Sequence, residues 1–546
     1  MSPAHDHRRR RLGGWGFEGE AFPPSPQLLA WLEDRIGPAR HPVSSGPIAA
    51  PGLEGRALPE TGLEPSADPL DRLTHARGQG LVDVLRLRTG RVTALPDAVL
   101  RPTAADDVAA VLGACASAGV RVIPWGGGTS VTGGVNVVAG DGPVVSLDLE
   151  RMAGVLDLDE VSGLATVGPG TAGPRLEAEL ATRGFTLGHF PQSWELATVG
   201  GWVATRSSGQ ESLGYGRIED MVAGLELVAP RDRLWLPAQP ASAAGPDLRQ
   251  LVMGSEGRLG VITEVTLRVR RRPDELGVDA ALLPDLDRGL EAARQLTLSG
   301  LPLSVLRLSD TAETQVAMAV GLASSRFAGL ARRWLRLRGI DPDACLLLMG
   351  SAGHPDDVAQ ALAAARSIVR SHGAVTLGRG PGEHWKRDRF RHPYLRESLL
   401  DLGYATDTFE TATTWRRAAE VRRRIVTAIS SALEAIDERV AVLCHVSHPY
   451  RDGTSLYFTF FLRCADDPDA TVERWARVKR TANHALVECG ATLSHHHGIG
   501  QWHAPGYPLE VGAVGRDLVA AAAHRMDPDG ILNPHVLLDP TDRLEA

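Results

Sequence analysis

The sequence of 546 residues has few cysteines, few lysines and no long apolar run. Its five cysteines are odd in number and never spaced as Cys-x-x-Cys, which argues against a disulfide framework or a zinc ribbon and favours a reducing compartment. No apolar stretch approaches the roughly 18 residues that cross a bilayer, and no apolar run follows the basic start, as a secretory signal requires. We therefore expect a cytoplasmic enzyme.

The chain also lacks an excess of positive charge. Its formal net charge is -8, which argues against a nucleic-acid partner. Lysine occurs only at Lys386 and Lys479, a bias toward arginine that we attribute to genome composition. With 43% hydrophobic and 23% charged residues the chain can form a sizeable core, and this composition excludes disorder and collagen-like repeats.

The first 90 residues show little periodicity and much proline and glycine. One helix is predicted over Ser25–Ile36, with Ser25 as its N-cap, and Pro42–Pro69 is predicted to be a linker. The aromatic stretch Gly14–Phe17 is typical of a segment that docks on a domain. Either this start or the linker is a candidate for contact with a membrane surface.

Patterns of regular structure begin near Asp97. Asp97–Leu100, Val120–Pro124 and Val144–Leu149 are predicted strands, and Thr103 is expected to cap the helix between the first two, with Asp106 three residues further on. Beyond Pro273 the composition shifts to long helices that alternate with strands, and this shift marks our main domain boundary. The helices are predicted over Leu286–Leu298, Asp356–His372 and Trp415–Ile436, and the strands include Ala344–Met349 and Leu456–Phe461.

A glycine cluster directly follows the strand that ends at Pro124. Such a loop lets backbone N–H groups approach and hold an anion, usually phosphate. It is neither a Walker loop, which would need a following Gly-Lys-Ser/Thr, nor a Rossmann fingerprint, whose third glycine would fall on Val131. The candidate cofactor-binding residues of this loop are Pro124, Trp125, Gly126, Gly127, Gly128, Thr129 and Ser130.

Two more loops of small residues follow, and the three together favour one extended cleft for a dinucleotide. Each loop offers backbone donors rather than charges. The second loop contributes Gln192, Ser193, Trp194, Thr198, Gly201, Thr205, Arg206, Ser207 and Ser208. The third contributes Glu256, Gly257, Leu259, Gly260, Val261 and Ile262.

In this order the three loops resemble the FAD-binding domain of the vanillyl-alcohol oxidase superfamily, the PCMH type, over roughly residues 91–272. The resemblance implies two α/β subdomains that hold FAD between them, with its diphosphate on the glycine loop. Some members attach FAD through a histidine at or near this loop. Because Pro124–Gly134 contains no histidine, we expect non-covalent FAD.

Four further stretches resemble the alkyldihydroxyacetonephosphate synthase family over nearly the whole chain: Gly14–Phe17, Gly188–Pro191, Thr408–Ala412 and Ser494–Gly500. The family exchanges the acyl group of acyl-dihydroxyacetone phosphate for a long-chain fatty alcohol in ether-lipid synthesis, through an adduct at flavin N5 and without net redox.

The resemblance also implies an α+β fold and a set of domains. A PCMH-type FAD-binding domain is joined to a cap domain that carries an antiparallel sheet flanked by helices. We expect an N-terminal extension over 1–90, the FAD-binding domain over 91–273, the cap over 274–490, and a C-terminal segment over 491–546 that returns a histidine cluster to the flavin.

Site residues follow from the same resemblance, position by position. Tyr457 matches the family's acid/base tyrosine, and His495, His496 and His497 match its essential histidine cluster. A phenol with a pKa near 10 is a poor base at neutral pH, so a neighbouring cation or imidazole must assist Tyr457. Arg307 matches an arginine important for activity and is assigned as catalytic, whereas Arg396 and Thr408 are assigned to substrate binding. The planar guanidinium of an arginine suits a phosphate group. His189 and Thr198 match positions beside the flavin.

Other interpretations remain open at this point. In an extended segment only His495 and His497 would share a face, so a metal site would need partners such as His445 or His448, and we predict no metal. The main alternative function is an FAD-linked oxidase or dehydrogenase of D-2-hydroxy acids such as lactate or glycolate. Neither terminus carries a peroxisomal signal. A homodimer and a peripheral membrane contact are further expectations.

Overall fold

The computed structural model describes residues 8–44, 48, 54–322, 328–340 and 342–538. An N-terminal hairpin, closed by a bridge between Arg10 and Phe17, opens this part of the chain. Trp15 and Phe17 are buried in a cluster with Leu196 and Tyr394, so the predicted docking of this stretch is confirmed and it presents no aromatic surface to a membrane. Three helices follow: α1 (Pro26–Ile36), α2 (Pro69–Thr74) and α3 (Leu81–Arg88).

The linker predicted over Pro42–Pro69 lies partly outside the described residues. The helix predicted from Ser25 is confirmed, since the Ser25 side chain accepts the Leu28 N–H at 3.1 Å.

A small parallel sheet follows, with the order β1-β3-β2. The prediction that Thr103 and Asp106 cap its helix is wrong. The N-cap is Ala104, and the carboxylate of Asp107 accepts the Thr103 and Ala104 N–H groups because it is the acid three residues into the helix. The elements are β1 (Ala98–Leu100), α4 (Ala105–Ala118), β2 (Arg121–Trp125) and β3 (Val144–Asp148).

A second, antiparallel sheet has the order β4-β5-β9-β7-β8, and β6 pairs with β10 beside it. The strands are β4 (Val155–Asp159), β5 (Leu164–Val167), β6 (Phe185–Thr186), β7 (Val222–Val228), β8 (Arg233–Leu236), β9 (Val261–Arg268) and β10 (Arg270–Arg271). The helices between them are α5 (Gly173–Ala181), α6 (Val199–Thr205), α7 (Ser212–Tyr215), α8 (Ile218–Met221) and α9 (Arg249–Val252).

From Glu275 onward the strands form one seven-stranded antiparallel sheet in the order β14-β11-β13-β12-β16-β17-β15. They are β11 (Glu275–Leu283), β12 (Val305–Ser309), β13 (Cys345–Gly353), β14 (Val375–Gly378), β15 (Tyr404–Thr414), β16 (Ala441–Ser447) and β17 (Gly453–Arg463). One face packs its apolar residues, Phe409, Phe458 and Phe460 among them, against helices in the largest hydrophobic cluster of the described residues.

The helices of this region are α10 (Leu286–Leu298), α11 (Thr311–Leu322), α12 (Ala328–Leu337), α13 (Pro355–Ser371), α14 (Gly380–Asp388), α15 (His392–Leu400), α16 (Ala418–Glu434), α17 (Pro468–Glu488) and α18 (Tyr507–Met526). Residues predicted to begin a helix at Trp415 instead form a short 3-10 turn, Trp415–Arg417, before α16. Among the described residues, no helix combines the length and the apolar character needed to cross a bilayer.

Residues 532 and 533, near the end of the described part of the chain, return to the first sheet. Leu532 bridges Val122 of β2, the Asn533 N–H donates to the Val122 carbonyl at 2.9 Å, and the Asn533 side chain donates to the carbonyls of Gly134 and Glu256. The last described residues thereby close against two of the three predicted cofactor loops.

Candidate active site

A row of polar side chains crosses neighbouring strands of the seven-stranded sheet. Tyr457 of β17 lies directly opposite Glu410 of β15 on one side and His445 of β16 on the other. Residues directly opposite in a ladder share one face of the sheet. The rings of Tyr457 and His445 are stacked with centroids 4.9 Å apart, and Arg307 of β12 donates to His445 Nδ1 at 3.0 Å. Four strands therefore bring a phenol, an imidazole, a carboxylate and a guanidinium to one surface.

The histidine segment that follows α17 lies against this row. Glu410 accepts the backbone N–H groups of His495, His496 and His497 and the hydroxyl of Ser494. Because one carboxylate gathers three successive N–H groups, the segment is bent rather than extended. The condition under which only His495 and His497 would share a face, an extended segment, is therefore not met, and the Nδ1 atoms of His495 and His496 are 2.8 Å apart.

Glu410 is an ionised carboxylate in the interior. Burial alone would raise its pKa, but His497, His495 and the backbone donors hold the pKa to about 2. Sequence reasoning did not nominate Glu410 as a site residue, although it lies within Thr408–Ala412, one of the stretches that carried the resemblance.

Tyr457 lies among neutral rings. Its centroid is 5.9 Å from that of His496 and 5.6 Å from that of His497. Burial raises the pKa of the Tyr457 phenol, against a hydrogen bond from the Thr408 side chain. Burial also lowers the pKa values of His496 and His497. At neutral pH the phenol therefore keeps its proton, and the imidazoles beside it are uncharged.

Two further residues complete the cluster. His448 has a φ of +48°. Its Nδ1 atom lies within hydrogen-bond distance of the Ser212 hydroxyl at 2.7 Å and the Ser208 hydroxyl at 3.0 Å. The centroid of its ring is 5.2 Å from that of His495. The Tyr450 hydroxyl is 2.5 Å from His495 Nε2. Both residues stand in the His448-Pro449-Tyr450 stretch just before β17. Sequence reasoning named His448 as a possible metal partner and did not nominate Tyr450 as a site residue.

The cluster contains two sets of groups that could hold a metal ion. Ligand atoms of His448, His495 and His496 lie within 4.8 Å of one another, and so do those of Glu410, His496 and His497. Imidazole and carboxylate suit zinc and related divalent ions. The prediction that no metal binds here stays a prediction.

The remaining predicted catalytic and substrate residues have defined partners. Arg307 also forms an ion pair with Glu313. Arg396 of α15 bonds the carboxylate of its neighbour Glu397 at 2.9 Å and the carbonyl of Gln79. The Thr408 carbonyl accepts from the buried Lys479 at 2.7 Å. Arg396 is thus held by α15 and the N-terminal extension rather than by the histidine cluster.

His189 lies in the second loop region. Its Nε2 is 3.2 Å from the Ser207 hydroxyl and its ring packs on Trp202. Burial and the nearby Arg217 lower the pKa of His189 to about 3, so the imidazole is neutral.

The glycine loop approaches the second loop closely. A Cβ on Gly127 would lie 1.9 Å from the Leu196 carbonyl oxygen, and one on Gly126 would lie 2.3 Å from Thr198 Oγ1. The N–H groups of residues 127–130 find no acceptor among the described residues. Two buried polar atoms, His189 Nδ1 and Thr198 Oγ1, likewise have no partner there. Free donors on a glycine loop beside unpartnered polar atoms fit a diphosphate and a polar ring system such as those of FAD.

The other loop residues connect this region to the histidine segment. Glu256 of the third loop, whose pKa burial raises to about 7, accepts the N–H groups of Ile499 and Gly500 at 2.7 and 2.9 Å. Ser208 of the second loop bonds His448, and Trp194 stacks on Phe390 with centroids 5.1 Å apart. The three cofactor loops and the cluster around Tyr457 thus form one connected site.

Known proteins resemble the chain over most of its length. Residues 96–235 match the family described as FAD binding domain, and residues 273–537 match the FAD linked oxidases, C-terminal domain. An alkyldihydroxyacetonephosphate synthase from Trypanosoma brucei brucei is 32% identical over 86% of this chain and 78% of its own. The glycolate oxidase subunit GlcD of Bacillus subtilis (strain 168) is 25% identical over 82% of this chain and 90% of its own.

Solved structures agree with these matches. A structure of an alkyldihydroxyacetonephosphate synthase superposes with a TM-score of 0.80 at 26% identity, covering 96% of this chain and 98% of its own. The structure of p-cresol methylhydroxylase with substrate bound superposes with a TM-score of 0.64 at 15% identity, covering 88% of this chain and 95% of its own. At this identity the similarity supports only a shared fold.

The predicted fold class is therefore confirmed: a PCMH-type FAD-binding domain carries a cap with an antiparallel sheet flanked by helices. FAD is the cofactor, as the loops and the matches to FAD-binding families agree. The assigned roles of the individual site residues stay predictions. The identity to the Trypanosoma brucei brucei synthase, the shared fold and the FAD-binding domain lead to one conclusion: this FAD-dependent chain belongs to the alkyldihydroxyacetonephosphate synthase family.

Proposed function

We propose that the chain is an alkylglycerone-phosphate synthase, which replaces the acyl group of acyl-dihydroxyacetone phosphate by a fatty alcohol without net redox. The observation that carries the proposal is the position of Tyr457, which is stacked on His445 and lies beside His496 and His497. The second cofactor loop reaches this cluster through the hydrogen bond between Ser208 and His448. When bound, FAD supplies the reactive ring nitrogen N5 at which the exchange takes place.

The protonation states of this cluster suit the replacement of an acyl group by a fatty alcohol. Tyr457 holds its proton at neutral pH because burial raises its pKa, so it can donate a proton to a substrate oxygen. The neutral rings of His496 and His497 can accept one, because burial lowers their pKa values. The site thus offers a proton donor and a proton acceptor side by side, as required when one oxygen substituent leaves a carbon and another arrives.

A phosphate-bearing substrate needs a cationic group near this cluster. Arg307 lies in the same polar row and is the cation in contact with His445. We assign the substrate phosphate to the side of the site occupied by Arg307, with Arg396 as a second cation bound to the N-terminal extension.

The alternative is oxidation of a D-2-hydroxy acid, the class of substrate named for the glycolate oxidase relative. A neutral imidazole beside a guanidinium, as in His445 and Arg307, could accept a hydroxyl proton next to a bound carboxylate. The experiment therefore has to compare both substrate classes on one protein.

The test is an anaerobic titration of the visible flavin spectrum, first with acyl-dihydroxyacetone phosphate and then with D-lactate or glycolate. Bleaching by the acyl ketone phosphate that a fatty alcohol reverses, without any electron acceptor, is the expected result. Bleaching by the hydroxy acid that only a dye or oxygen reverses would replace the synthase proposal by the oxidase alternative. Acid precipitation of the same sample should release the flavin into solution, since we propose that its binding is non-covalent.

A Tyr457→Phe variant tests the assignment of the catalytic phenol. We expect a loss of turnover of roughly 10²-fold or more, because the proton donor is removed while the ring and its stacking remain. The flavin spectrum should be unchanged. Tyr404→Phe is the matched control, because the Tyr404 hydroxyl is buried and bonds the Gly37 carbonyl at 3.0 Å outside the cluster. Near-normal turnover of Tyr457→Phe would remove Tyr457 from the mechanism.

Three further proposals accompany the main one. Both substrates carry long alkyl chains, so a peripheral membrane contact would bring the enzyme to them; complete absence from floated liposomes would contradict it. We also propose a cytoplasmic location and a homodimer, which cell fractionation and light scattering respectively would test.

A further inference from the structure

Helix α12 presents an apolar side to solvent. Leu335 is buried in a cluster with Leu282 and Ile340, which anchors one side of the helix on the seven-stranded sheet. At about 100° of rotation per residue, Leu337 lies on nearly the opposite side of the helix. Leu337 is 80% exposed, and Trp334, one turn before it, is 45% exposed. Two large apolar side chains thus face outward from α12.

Arginines border this apolar side. Arg333 lies one turn before Leu337, and the residues on either side of Leu337 in the chain are Arg336 and Arg338. All three arginines are exposed, and none has a carboxylate partner within the part of the chain that the structure describes. The Arg338 guanidinium lies over the Trp334 ring, 5.1 Å from its centroid. The outer side of α12 is therefore an apolar strip among three cations that no carboxylate neutralises.

The sequence around α12 carries charge of one sign. Residues 314–340 contain five arginines and neither aspartate nor glutamate, although the formal net charge of the chain is -8. Positive charge collected on one surface attracts an anionic partner even when the whole protein is acidic. Val161, Leu509 and Leu518 are exposed as well, but each stands next to an aspartate or glutamate in the chain. Of these four exposed apolar residues, Leu337 alone is combined with purely positive charge.

This combination fits the surface of an anionic lipid membrane. Arginine binds lipid phosphate through a planar fork of donors, and tryptophan and leucine bury at the boundary between head groups and acyl chains. A nucleic acid would use the arginines but leave Leu337 in water, whereas acyl chains cover it. The N-terminal stretch that was expected to meet a membrane is itself buried, with Trp15 and Phe17 in the protein interior.

We propose that α12 docks the protein on anionic membranes, with Trp334 and Leu337 in the lipid interface and Arg333, Arg336 and Arg338 on lipid phosphates. This inference rests on the proposed function, because it assigns a surface to the membrane contact proposed there. Attraction between the arginines and the lipid phosphates brings the helix to the membrane, and burial of the two apolar side chains holds it there.

Helix α11 connects the docking surface with the candidate active site. Glu313 in its first turn forms an ion pair with Arg307 of the polar row, and the helix ends at Leu322, a short stretch before α12 begins. Its 12 residues span about 18 Å at about 1.5 Å per residue. A membrane held at α12 is therefore one helix away from the row that contains Tyr457.

The first test measures vesicle binding without substrate. The FAD-loaded full chain should float with phosphatidylcholine vesicles that contain phosphatidylglycerol, stay behind with phosphatidylcholine alone, and dissociate at high salt. A variant with Arg333→Gln, Arg336→Gln and Arg338→Gln should bind the anionic vesicles roughly 10²-fold more weakly, because three cations leave the docking surface. Wild-type protein that binds neither kind of vesicle, or both kinds equally, would overturn the proposal.

The matched control changes the net charge by the same amount elsewhere. Arg416→Gln, Arg423→Gln and Arg480→Gln together remove three exposed arginines from α16, α17 and the turn before α16. This variant should bind anionic vesicles within about twofold of the wild type. A loss equal to that of the α12 variant would show that net charge alone decides and would overturn the assignment to α12. Both variants should keep the wild-type flavin content and unfolding temperature, because the substituted side chains are exposed.

The second test addresses the apolar strip. Leu337→Ser should weaken binding to anionic vesicles roughly tenfold, because the side chain no longer buries in the lipid interface. Val161→Ser, at a residue that is 99% exposed, should leave binding unchanged. Unaltered binding of Leu337→Ser would overturn the insertion of α12.

The outcomes also separate this inference from the reaction. None of the binding measurements needs turnover, so vesicle binding without any exchange reaction would refute the proposed function and leave the docking surface standing. Exchange without vesicle binding would refute the docking surface alone. A dimer in light scattering that the α12 arginine variant loses, in a wild type that binds no vesicles, would assign α12 to contact with a second copy of the chain and overturn the proposal.

Discussion

At the scale of single residues, Glu410 holds the histidine segment through main-chain donors rather than through side chains. Glu410→Gln replaces one carboxylate oxygen by an NH2 group, whose hydrogens would face the backbone N–H groups that Glu410 now accepts. We expect the free energy of unfolding to fall by about 2 kcal/mol and turnover to be lost, with FAD still bound. Urea unfolding and a flavin spectrum would measure both effects. Glu488→Gln, an exposed carboxylate paired with Arg424, should stay within about 0.5 kcal/mol of the wild type, and an equally small effect of Glu410→Gln would contradict this role.

The sequence revealed the site residues that match a known family and missed those whose role depends on partners far away in the chain. Tyr457 and the three histidines were nominated because they stand in stretches that resemble a family. Glu410 stood in such a stretch too and Tyr450 did not. Both pair with His495, which is 85 and 45 residues away respectively, and no local pattern indicates those pairings. Arg396 was nominated for substrate contact, and the structure shows its guanidinium bonded to Gln79 and Glu397.

At the scale of elements, the glycine loop after β2 has no room for a side chain at Gly127. Gly127→Ala would place a methyl group 1.9 Å from the Leu196 carbonyl, a backbone atom that cannot rotate away. We expect a cost of about 1–3 kcal/mol and a clear loss of bound FAD, measured by thermal unfolding and flavin absorbance. Gly113→Ala in α4 is the control: nothing lies within 4 Å of its added methyl group, and better helix propensity should stabilise the protein by up to about 1 kcal/mol. Full FAD content in Gly127→Ala would show that this close approach is not needed.

Local patterns predicted the elements well where local energetics decide them. The helix predicted over Leu286–Leu298 is confirmed with those bounds, because Asp285 caps it and its apolar residues recur at helical spacing. The start of α4 was missed by one residue because Asp106 and Asp107 are both acids that can serve as the capping side chain, and only the backbone geometry selects Asp107. The order of the seven-stranded sheet had no local signal at all, since its neighbours β15 and β17 are separated by the whole of α16 and β16.

At the scale of the whole molecule, the N-terminal hairpin joins the glycine loop to helix α15 of the cap. Arg10 donates to the Gly127 carbonyl at 2.8 Å, and the Trp15 N–H donates to Glu397 of α15 at 3.1 Å. Deleting residues 1–20 should expose apolar surface that Trp15 and Phe17 now cover, at about 1.5–3 kcal/mol for each side chain, and should weaken FAD binding. Calorimetry and FAD titration would measure this. Deleting residues 1–7 is the control, and equal behaviour of the two truncations would show that the hairpin does not contribute.

The attachment of the histidine segment also bears on how such a site can change over time. Because Glu410 and Glu256 hold residues 495–500 by their N–H groups, the backbone path there does not depend on which side chains it carries. Substitutions at 495–497 can therefore alter the chemistry while the loop keeps its place beside the flavin loops. Substituting the three histidines at 495–497 could therefore suit the same backbone to a different reaction. The segment is for this reason a suitable starting point for engineering new activities on the protein.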